Sequence, residues 1–521
     1  HYGVKDGRMK QNVHLVFPML RTIPNDTHAS LLYDIDNEDI SPVEVNGKPV
    51  EEYPTTYYIK GKLTCLSKTT EGLEIKHQLF PSTDQAVFID KVEIINKTPK
   101  AVKIEILEIN ICDTTDADKG VSGSYIVKVV SNKEGLFNLE VNESLEYAII
   151  YTGSSITTDE NYVSPDYELK KRENFVNNTF SDLVFESPEE VLNRTFAFAK
   201  LRAVESIYET KGGLMHGPGG GRYYAAIWAN DQAEYANPFF PFLGNLAGNE
   251  SAKNSFRHFA RFINDEYKPI PSSIIAEGID FWNGAGDRGD MAMIAYGASR
   301  FALAYGDKET AHELWPLIEW CLEYCNRKVN SEGVVTSDCD ELEGRFPAGD
   351  ANLNTSSLYY DALISASLLG KELEIETEQL DSYIVQSKAI EKSIEAYFGA
   401  TMDGFETYRY YKGNDLLRAW ICTPLTVGIY NRSEGTVDAL FSERLWTKDG
   451  LASEAGNTTF WDRATLYALR GVFAANETKR AMDYLLYYSK RRLLGEHVPY
   501  AVEAYPEGNQ RHLSAESALY C

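Results

Sequence analysis

Hydrophobic and polar positions change rhythm once along this chain. Through residues 1–185 they alternate in short runs: TYYIKGKLTCLS, LEIKHQLF, AVFIDKVEIIN, AVKIEILEIN, GSYIVKVV and EYAIIYTG. A strand turns successive side chains to opposite faces, so a period of two marks strands with one buried face. The runs are rich in Val, Ile, Thr and Tyr and are broken by Asn, Gly, Lys-Thr and Pro turns, as strands are. Recurring at this spacing, they predict an antiparallel β-sandwich. The segment TTDENYVSPDYELKKRENFVNNT (residues 157–179) is polar and reads as the connection to the second half of the chain.

After SPEEVLNRTF the period lengthens. Ser187 with Glu190 three residues on is a capping-box signature, and Phe196, Ala199, Leu201 and Val204 continue a helical face. About twelve helical stretches follow, beginning near 187, 231, 249, 288, 308, 353, 377, 418, 434, 458, 476 and 512. Links such as GNE, GDKE and AANE are short, which forces neighbouring helices antiparallel. A chain of 521 residues exceeds what one hydrophobic core serves. The expectation is a multidomain β + α chain, with an N-terminal β-sandwich over 1–185 and an (α/α)6 toroid over 186–521. Such a toroid gathers its site from the loops at one rim.

Composition narrows the function. The apolar fraction of 43% and charged fraction of 25% are ordinary for a globular protein, and no run of eighteen apolar residues could cross a membrane. The net charge of −26 is spread along the chain and repels phosphate backbones, which argues against a nucleic-acid partner. The 33 Tyr, 23 Phe and 7 Trp supply aromatic faces suited to sugar rings. Seven cysteines show no metal-binding spacing, and their odd number gives no disulfide framework. Cys321 and Cys325 share a helical face as packing residues. Sequons at Asn25, Asn96, Asn142, Asn193, Asn249, Asn457 and Asn476 could be used only in a eukaryotic secretory pathway, and chance excess is the simpler reading. The first residues, HYGVKDGRMK, carry no signal-peptide pattern, and without a starting Met they suggest a processed chain. The expected location is secreted or periplasmic.

No zinc motif, P-loop, GxSxG elbow or dinucleotide fingerprint appears. What stands out is a set of carboxylates on Gly- and aromatic-rich segments between helices: Asp231, Asp280, Asp287, Asp290, Asp340, Glu341, Asp350, Asp462, Glu503 and Glu507. Two carboxyl groups facing each other across a bond are what glycoside hydrolysis needs, one to donate a proton and one to activate water or attack. In RYYAAIWANDQAEY, Asp231 either caps the next helix or is an acid whose pKa is raised by Trp228 and Tyr224. One of Asp287 and Asp290 is expected to cap the helix near 288, with Arg288 pairing either. Asp350 and Asn352 are candidate caps for the helix near 353, which is compatible with substrate contact. Asp340-Glu341 with Arg345 is either a solvated loop or a sugar-facing wall. Trp282 is a better stacking candidate than the helical Trp315 and Trp320. Glu507 and Asp340 stand as fallback catalytic residues and Glu516 as a weaker one, while His216 and His512 are hydroxyl ligands only if they are not structural.

The helical half resembles the six-hairpin glycosidases, particularly glycoside hydrolase family 63 and the glycogen-debranching glucosidase-like relatives. The resemblance runs over roughly residues 190–521 and rests on four motifs in order: WAND, GDANLNTSSLYYDAL, NTTFWDRATLYALRG and EAYPEGNQRHLSAES. It implies a general acid at Asp231 and a general base at Glu503. It also implies sugar contacts from Trp461 and Arg463, and from the helix start at Asp350 and Asn352. The chain departs from the family pattern at WAND, at Ala504 and in lacking Gly-Pro after Trp461-Asp462-Arg463.

Together these readings predict an inverting, exo-acting glycoside hydrolase acting on an oligo- or polysaccharide, with an α-linked bond implied by the resemblance. Trp228, Trp282 and Trp461 would form aromatic walls, and Asp287, Arg345, Asn352 and Arg463 would contact hydroxyls. No cofactor is required; the Asp-rich loops permit a structural calcium ion but do not demand one. The rivals are a glycoside phosphorylase, revealed by phosphate dependence, and a polysaccharide lyase, revealed by an unsaturated product. A non-catalytic glycan-binding protein is the third, revealed by binding without turnover.

Overall fold

Period-two burial is plain in the N-terminal strands: along Leu73–Pro81 and Val87–Asn96, buried residues recur at nearly every second position. The computed structural model describes residues 2–493 apart from 25, 28, 37–39, 41, 159–162, 219–224, 277, 279, 280, 283 and 285. Contacts divide the chain into two units. One holds residues up to 181 except 25–27, and the other holds 25–27 and everything from 182 onwards.

The first unit is built on a seven-stranded antiparallel sheet. Its spatial order is Asn110–Thr114, Tyr125–Ser131, Ser144–Ser155, Val87–Asn96, Leu73–Pro81, Leu63–Thr69 and Glu52–Ile59. Smaller sheets of four and three strands accompany it. All three feed one apolar cluster, with Ile75, Val92 and Val127 from the large sheet, Val45 and Ile104 from the second, and Leu15 and Phe17 from the third. The large sheet's other face carries Phe80, Ile89 and Ile150, against which Leu169 packs. Leu169 belongs to helix α1 (Pro165–Ser181), which occupies the segment expected to be a polar connection. Few of its residues are apolar, but Leu169 and Val176 face inwards, and Arg172 Nε donates to the Gly61 carbonyl at 2.8 Å. Tertiary docking, rather than periodicity, makes this helix.

The second unit is helical. Helix α2 spans Glu190–Glu205, α3 Asn237–Leu243, α4 Leu246–Ala260, α5 Asp290–Tyr305, α6 Lys308–Arg327, α7 Leu353–Glu372 and α8 Thr377–Phe398. A short α9 (Thr423–Thr426), α10 (Ser433–Leu440), α11 (Asp462–Ala474) and α12 (Thr478–Tyr488) complete it among the described residues. The start expected near 512 lies outside them. Ser187 does not form the expected capping box; the side chain of Asn193 bonds the Ser187 backbone instead, and α2 begins at Glu190.

Burial sorts the helices into two kinds. Helices α5 and α7 are buried nearly all round, as a helix surrounded by others must be. Helix α8 instead buries one stripe, Leu380, Tyr383, Ser387, Ile390, Ile394 and Phe398, at the three-and-four spacing of an amphipathic helix. Neighbours in space follow the same division: α3, α5, α7, α9 and α11 pack in succession, while α4, α6, α8 and α12 each lie against the helix before them. The turns explain the pairing. Gly244 and Gly306 end α3 and α5 at φ +71° and +72°, a conformation glycine adopts without strain. Asn245 and Asp307 then cap α4 and α6, accepting from Gly248 N at 2.8 Å and Thr310 N at 2.9 Å. Two-residue links of this kind leave only an antiparallel hairpin. At the far end, α2 packs against the π-helical turn Ser489–Leu493 that follows α12.

Candidate active site

Asp231 is reached through a small sheet. Strand Ala226–Trp228 pairs antiparallel with Ser273–Ile275, which pairs in turn with Phe281–Trp282. From Ala229 the chain coils directly into helix, and Asp231–Ala236 forms a π-helical turn before α3. A π-turn inserts a residue into the helical ladder and redirects side chains, a device common at functional sites. Gly297 of α5 makes room for it, since a methyl group there would run into the Ala233 carbonyl. Asp231 therefore stands inside the helix, two residues past its first residue Ala229, rather than at an N-cap.

Around Asp231 lies a buried network of charges. Arg463, in the first turn of α11, donates from one nitrogen to Asp231 Oδ1 at 3.3 Å, and its other terminal nitrogen lies 3.2 Å from Glu341 Oε2. Asn230 Nδ2 reaches the same two oxygens at 3.4 Å and 3.3 Å. The carboxylates of Asp231 and Glu341, 110 residues apart in the chain, thus share one guanidinium and one amide. Arg288 stands behind, donating to Asn230 Oδ1 at 3.1 Å, Asp290 Oδ1 at 2.8 Å and Glu343 Oε1 at 3.2 Å. Asp231, Glu341 and Glu234 are only 7%, 4% and 2% exposed, so water screens this network little.

Burial acts on the acids accordingly. It pushes the Glu341 carboxyl above its ordinary value; Arg463 opposes this, and the neighbouring Asp340 adds to it. Glu234 is driven well above its ordinary value, first by burial and then by the charge of Glu341, against Arg463. Asp340 is also raised by burial, with Arg418 opposing from 3.6 Å. Among the described residues, Glu341 Oε1, Glu234 Oε1 and Trp461 Nε1 are buried without a hydrogen-bond partner.

The residues singled out from the sequence divide into three groups. Asp231, Arg463, Trp461, Arg345 and Asp340 come together: the guanidiniums of Arg345 and Arg463 each lie 5.2 Å from the Trp461 ring centre, and Arg345 is exposed. Asp340-Glu341 is a buried wall rather than a solvated loop. Other residues serve the scaffold. Asp287 accepts from Tyr324 Oη at 2.7 Å and Gly289 N at 2.9 Å, and its carbonyl receives Asp338 N and Cys339 N, so it ties down the loop that carries Glu341. Burial, with Asp290 nearby, pushes Asp287 up to about 6. Arg288 pairs with Asp290. Asn352 is fully buried and caps α7, taking Thr355 N at 2.9 Å and donating to Ser337 Oγ at 3.0 Å. Asp462 is held by Tyr488 and Arg492. Trp228 is buried with Ala226 and Ile275, and Asp350 is exposed. Only the backbone pairing of Trp282 with Ser273 is described. Asp280, Glu503, Glu507, Glu516 and His512 lie outside the described residues.

Two participants were missed. Glu234 is a lone acid in the apolar run AEYANPFF, and Arg418 a lone base in LLRAWICTPL. A single charge on a helix or turn that is otherwise apolar was the signal. No group of three or more His, Cys, Asp or Glu side chains among the described residues is placed to hold a metal ion.

No protein-family model matches the chain, and no curated protein matches it. Solved structures do. The chain is similar in fold to glycosidases, with the likeness running through both units. A bacterial glucoamylase complexed with acarbose aligns over 99% of this chain and 87% of its own, at 11% identity and a TM-score of 0.59. A glycosidase in complex with glucose aligns over 64% of this chain and 97% of its own, at 12% identity and a TM-score of 0.51. A wild-type glycosidase aligns over 64% of this chain and 96% of its own, at 12% identity and a TM-score of 0.50. At such identities the likeness speaks for the fold alone.

Proposed function

We propose that this chain is an inverting, exo-acting glycoside hydrolase on an (α/α)6 toroid, near family 63, that cleaves an α-linked bond of an oligo- or polysaccharide. The observation that carries the reading is the pair Asp231 and Glu341 on Arg463, two buried carboxyls, with Glu341 raised by burial and its Oε1 without a partner among the described residues. The succession α3, α5, α7, α9, α11 and the meeting of α2 with the turn after α12 support a closed ring. The glucose and acarbose named with two similar folds make α-glucosidic chains the first substrates to try.

A general acid needs a raised pKa and a free oxygen aimed at the leaving group. Burial raises the Glu341 carboxyl and its Oε1 has no partner among the described residues, which favours Glu341 as the acid, whereas the sequence motif assigns the role to Asp231. In this reading Glu341 Oε1 gives its proton to the glycosidic oxygen as the bond from that oxygen to the anomeric carbon breaks. A water oxygen bonds the anomeric carbon from the opposite face, and its proton passes to a base, which the C-terminal motif assigns to Glu503. Asp231, fixed by Arg463, accepts from a sugar hydroxyl, and Trp461 with Arg345 flanks the ring. Hydrolysis should be measured over a panel of α-linked gluco-oligosaccharides and aryl glycosides. The wild type is expected to release free sugar from at least one, and E341Q to lose that activity while keeping its helical circular dichroism. No release from any member, or an active E341Q, contradicts the reading.

A further inference from the structure

Arg418 is fully buried, and a buried guanidinium is costly unless its partners offset the loss of water. Its backbone is fixed by pairing with Glu454 and by the bond from Ala419 N to the Ser453 carbonyl. Its side chain turns to one loop, residues 340–347. Nη1 donates to the Pro347 carbonyl at 2.8 Å, Nη2 lies 3.6 Å from Asp340 Oδ2, and the guanidinium stands 5.0 Å from the Phe346 ring centre. The Tyr410 ring at 4.6 Å and the Glu454 carboxylate at 3.9 Å complete its surroundings. Both ends of the loop are thus tied to one cation. Between them the chain is held by short turns: Leu342 N donates to Asp340 Oδ1 at 3.0 Å, Glu343 N to the Asp340 carbonyl at 2.9 Å and Arg345 N to the Leu342 carbonyl at 3.1 Å. Glu343 has a φ of +59°, a conformation that a non-glycine residue keeps only where its surroundings impose it.

We propose that Arg418 is a positioning residue: by gripping both ends of the loop 340–347, it holds Glu341 in place to give its proton and Arg345 in place to flank the sugar. The loop sets Glu341 against Arg463 and Arg345 against Trp461, so slack at either end would move both. Asp340 is the anchor of this grip. Its carboxylate serves Arg418 and the Leu342 amide rather than the glycosidic oxygen. A lysine could not take the place of Arg418. A point charge on a flexible stem cannot bond the Pro347 carbonyl, face Asp340 and lie over the Phe346 ring at once.

The inference rests on Glu341 being the acid, and two measurements separate its failure from failure of that reading. The first needs no substrate: amide hydrogen exchange of the full chain, followed by mass spectrometry. In R418K the peptide covering 340–347 should exchange severalfold faster, while α5, α7 and α11 keep their wild-type rates. Unchanged exchange of the loop, or acceleration spread through those helices, overturns the proposal. D340N should loosen the same peptide, and it decides should R418K fail to fold. The second measurement is kinetics on two leaving groups. A misplaced acid costs about a hundredfold, so R418K should lose about that much kcat on an α-linked oligosaccharide. It should lose much less on the glycosyl fluoride, which departs without a proton, while KM rises on both through Arg345. Equal kcat losses on the two substrates overturn the proposal. A D340N loss as deep as that of E341Q would move the acid to Asp340 and overturn it too. A loop that loosens as predicted in a chain that hydrolyses nothing keeps the grip of Arg418 and removes the hydrolase reading.

Discussion

Arg463 holds the site together, and its loss should be felt twice. Removing it leaves two carboxyls buried without their cation, which costs about 3–5 kcal/mol, and it frees both to turn away from their present geometry. R463M should therefore lower the unfolding free energy obtained from urea titration by that amount and abolish turnover; a stable R463M would mean that the carboxyls are already neutral. The roles of Asp231 and Glu341 separate by leaving group. A glycosyl fluoride needs no proton to depart, so E341Q should lose roughly 10²–10⁴-fold in kcat on an oligosaccharide but keep most of its rate on the fluoride. D231N should lose rate on both, and the opposite pattern would return the acid to Asp231. Asp231, Trp461 and Arg463 were legible because short motifs mark them, and Arg345 only as a neighbour of Asp340-Glu341. Glu341 was visible only as one carboxylate among ten, because what selects it is burial against Arg463, 122 residues further on. Asn352 was legible as a cap from its place at the helix start, and it does cap α7.

The element that aims the site is the π-helical turn of Asp231–Ala236 against α5. Gly297 permits the contact, so G297A should push α5 from the turn. Overpacking of this kind costs about 1–3 kcal/mol, and thermal unfolding together with kcat would register it; an unchanged kcat would show that the turn's position is not critical. Most helix starts and the Gly-Asp turn at 306–307 were legible, because caps and three-and-four periodicity are local; the GNE link read at 248–250 instead lies inside α4, and the turn before it is Gly244-Asn245. The π-turn and α1 were not. One depends on a neighbouring helix leaving space for a carbonyl, and the other on a sheet face waiting for Leu169. Neither fact is written in the local sequence of the element itself.

Each unit of the molecule carries its own buried ionic network, and that of the β unit is a pH sensor of stability. His77 sits between Asp90, at 2.9 Å, and Glu52, at 3.1 Å, inside the large sheet. Burial alone would lower its pKa, but Asp90 and Glu52 outweigh that and hold it well above its ordinary value. Burial would also raise Glu52, yet bonds and charge from His77, with the Ser67 hydroxyl, keep it below its ordinary value. The folded state thus binds the His77 proton more tightly than the unfolded chain. Its stabilisation is full below the unfolded histidine value of about 6.5 and is lost as pH rises through the folded one. At the acid end, the Glu52 contribution is lost as pH falls through its depressed value. Melting of the wild type should therefore fall faster with rising pH on the alkaline side than that of H77Q, and parallel curves would mean that His77 is neutral in the fold. At this scale the division into a strand half and a helical half was legible from the change of period alone. Which carboxyls meet was not, since the helical unit brings together residues hundreds of positions apart.

The central claim, hydrolysis with a single displacement, is tested most directly by proton NMR of the sugar at the moment of its release. An α-linked substrate of the wild-type chain should yield the β-anomer first, with the α-anomer appearing only as mutarotation proceeds. Immediate release of the α-anomer would contradict the account.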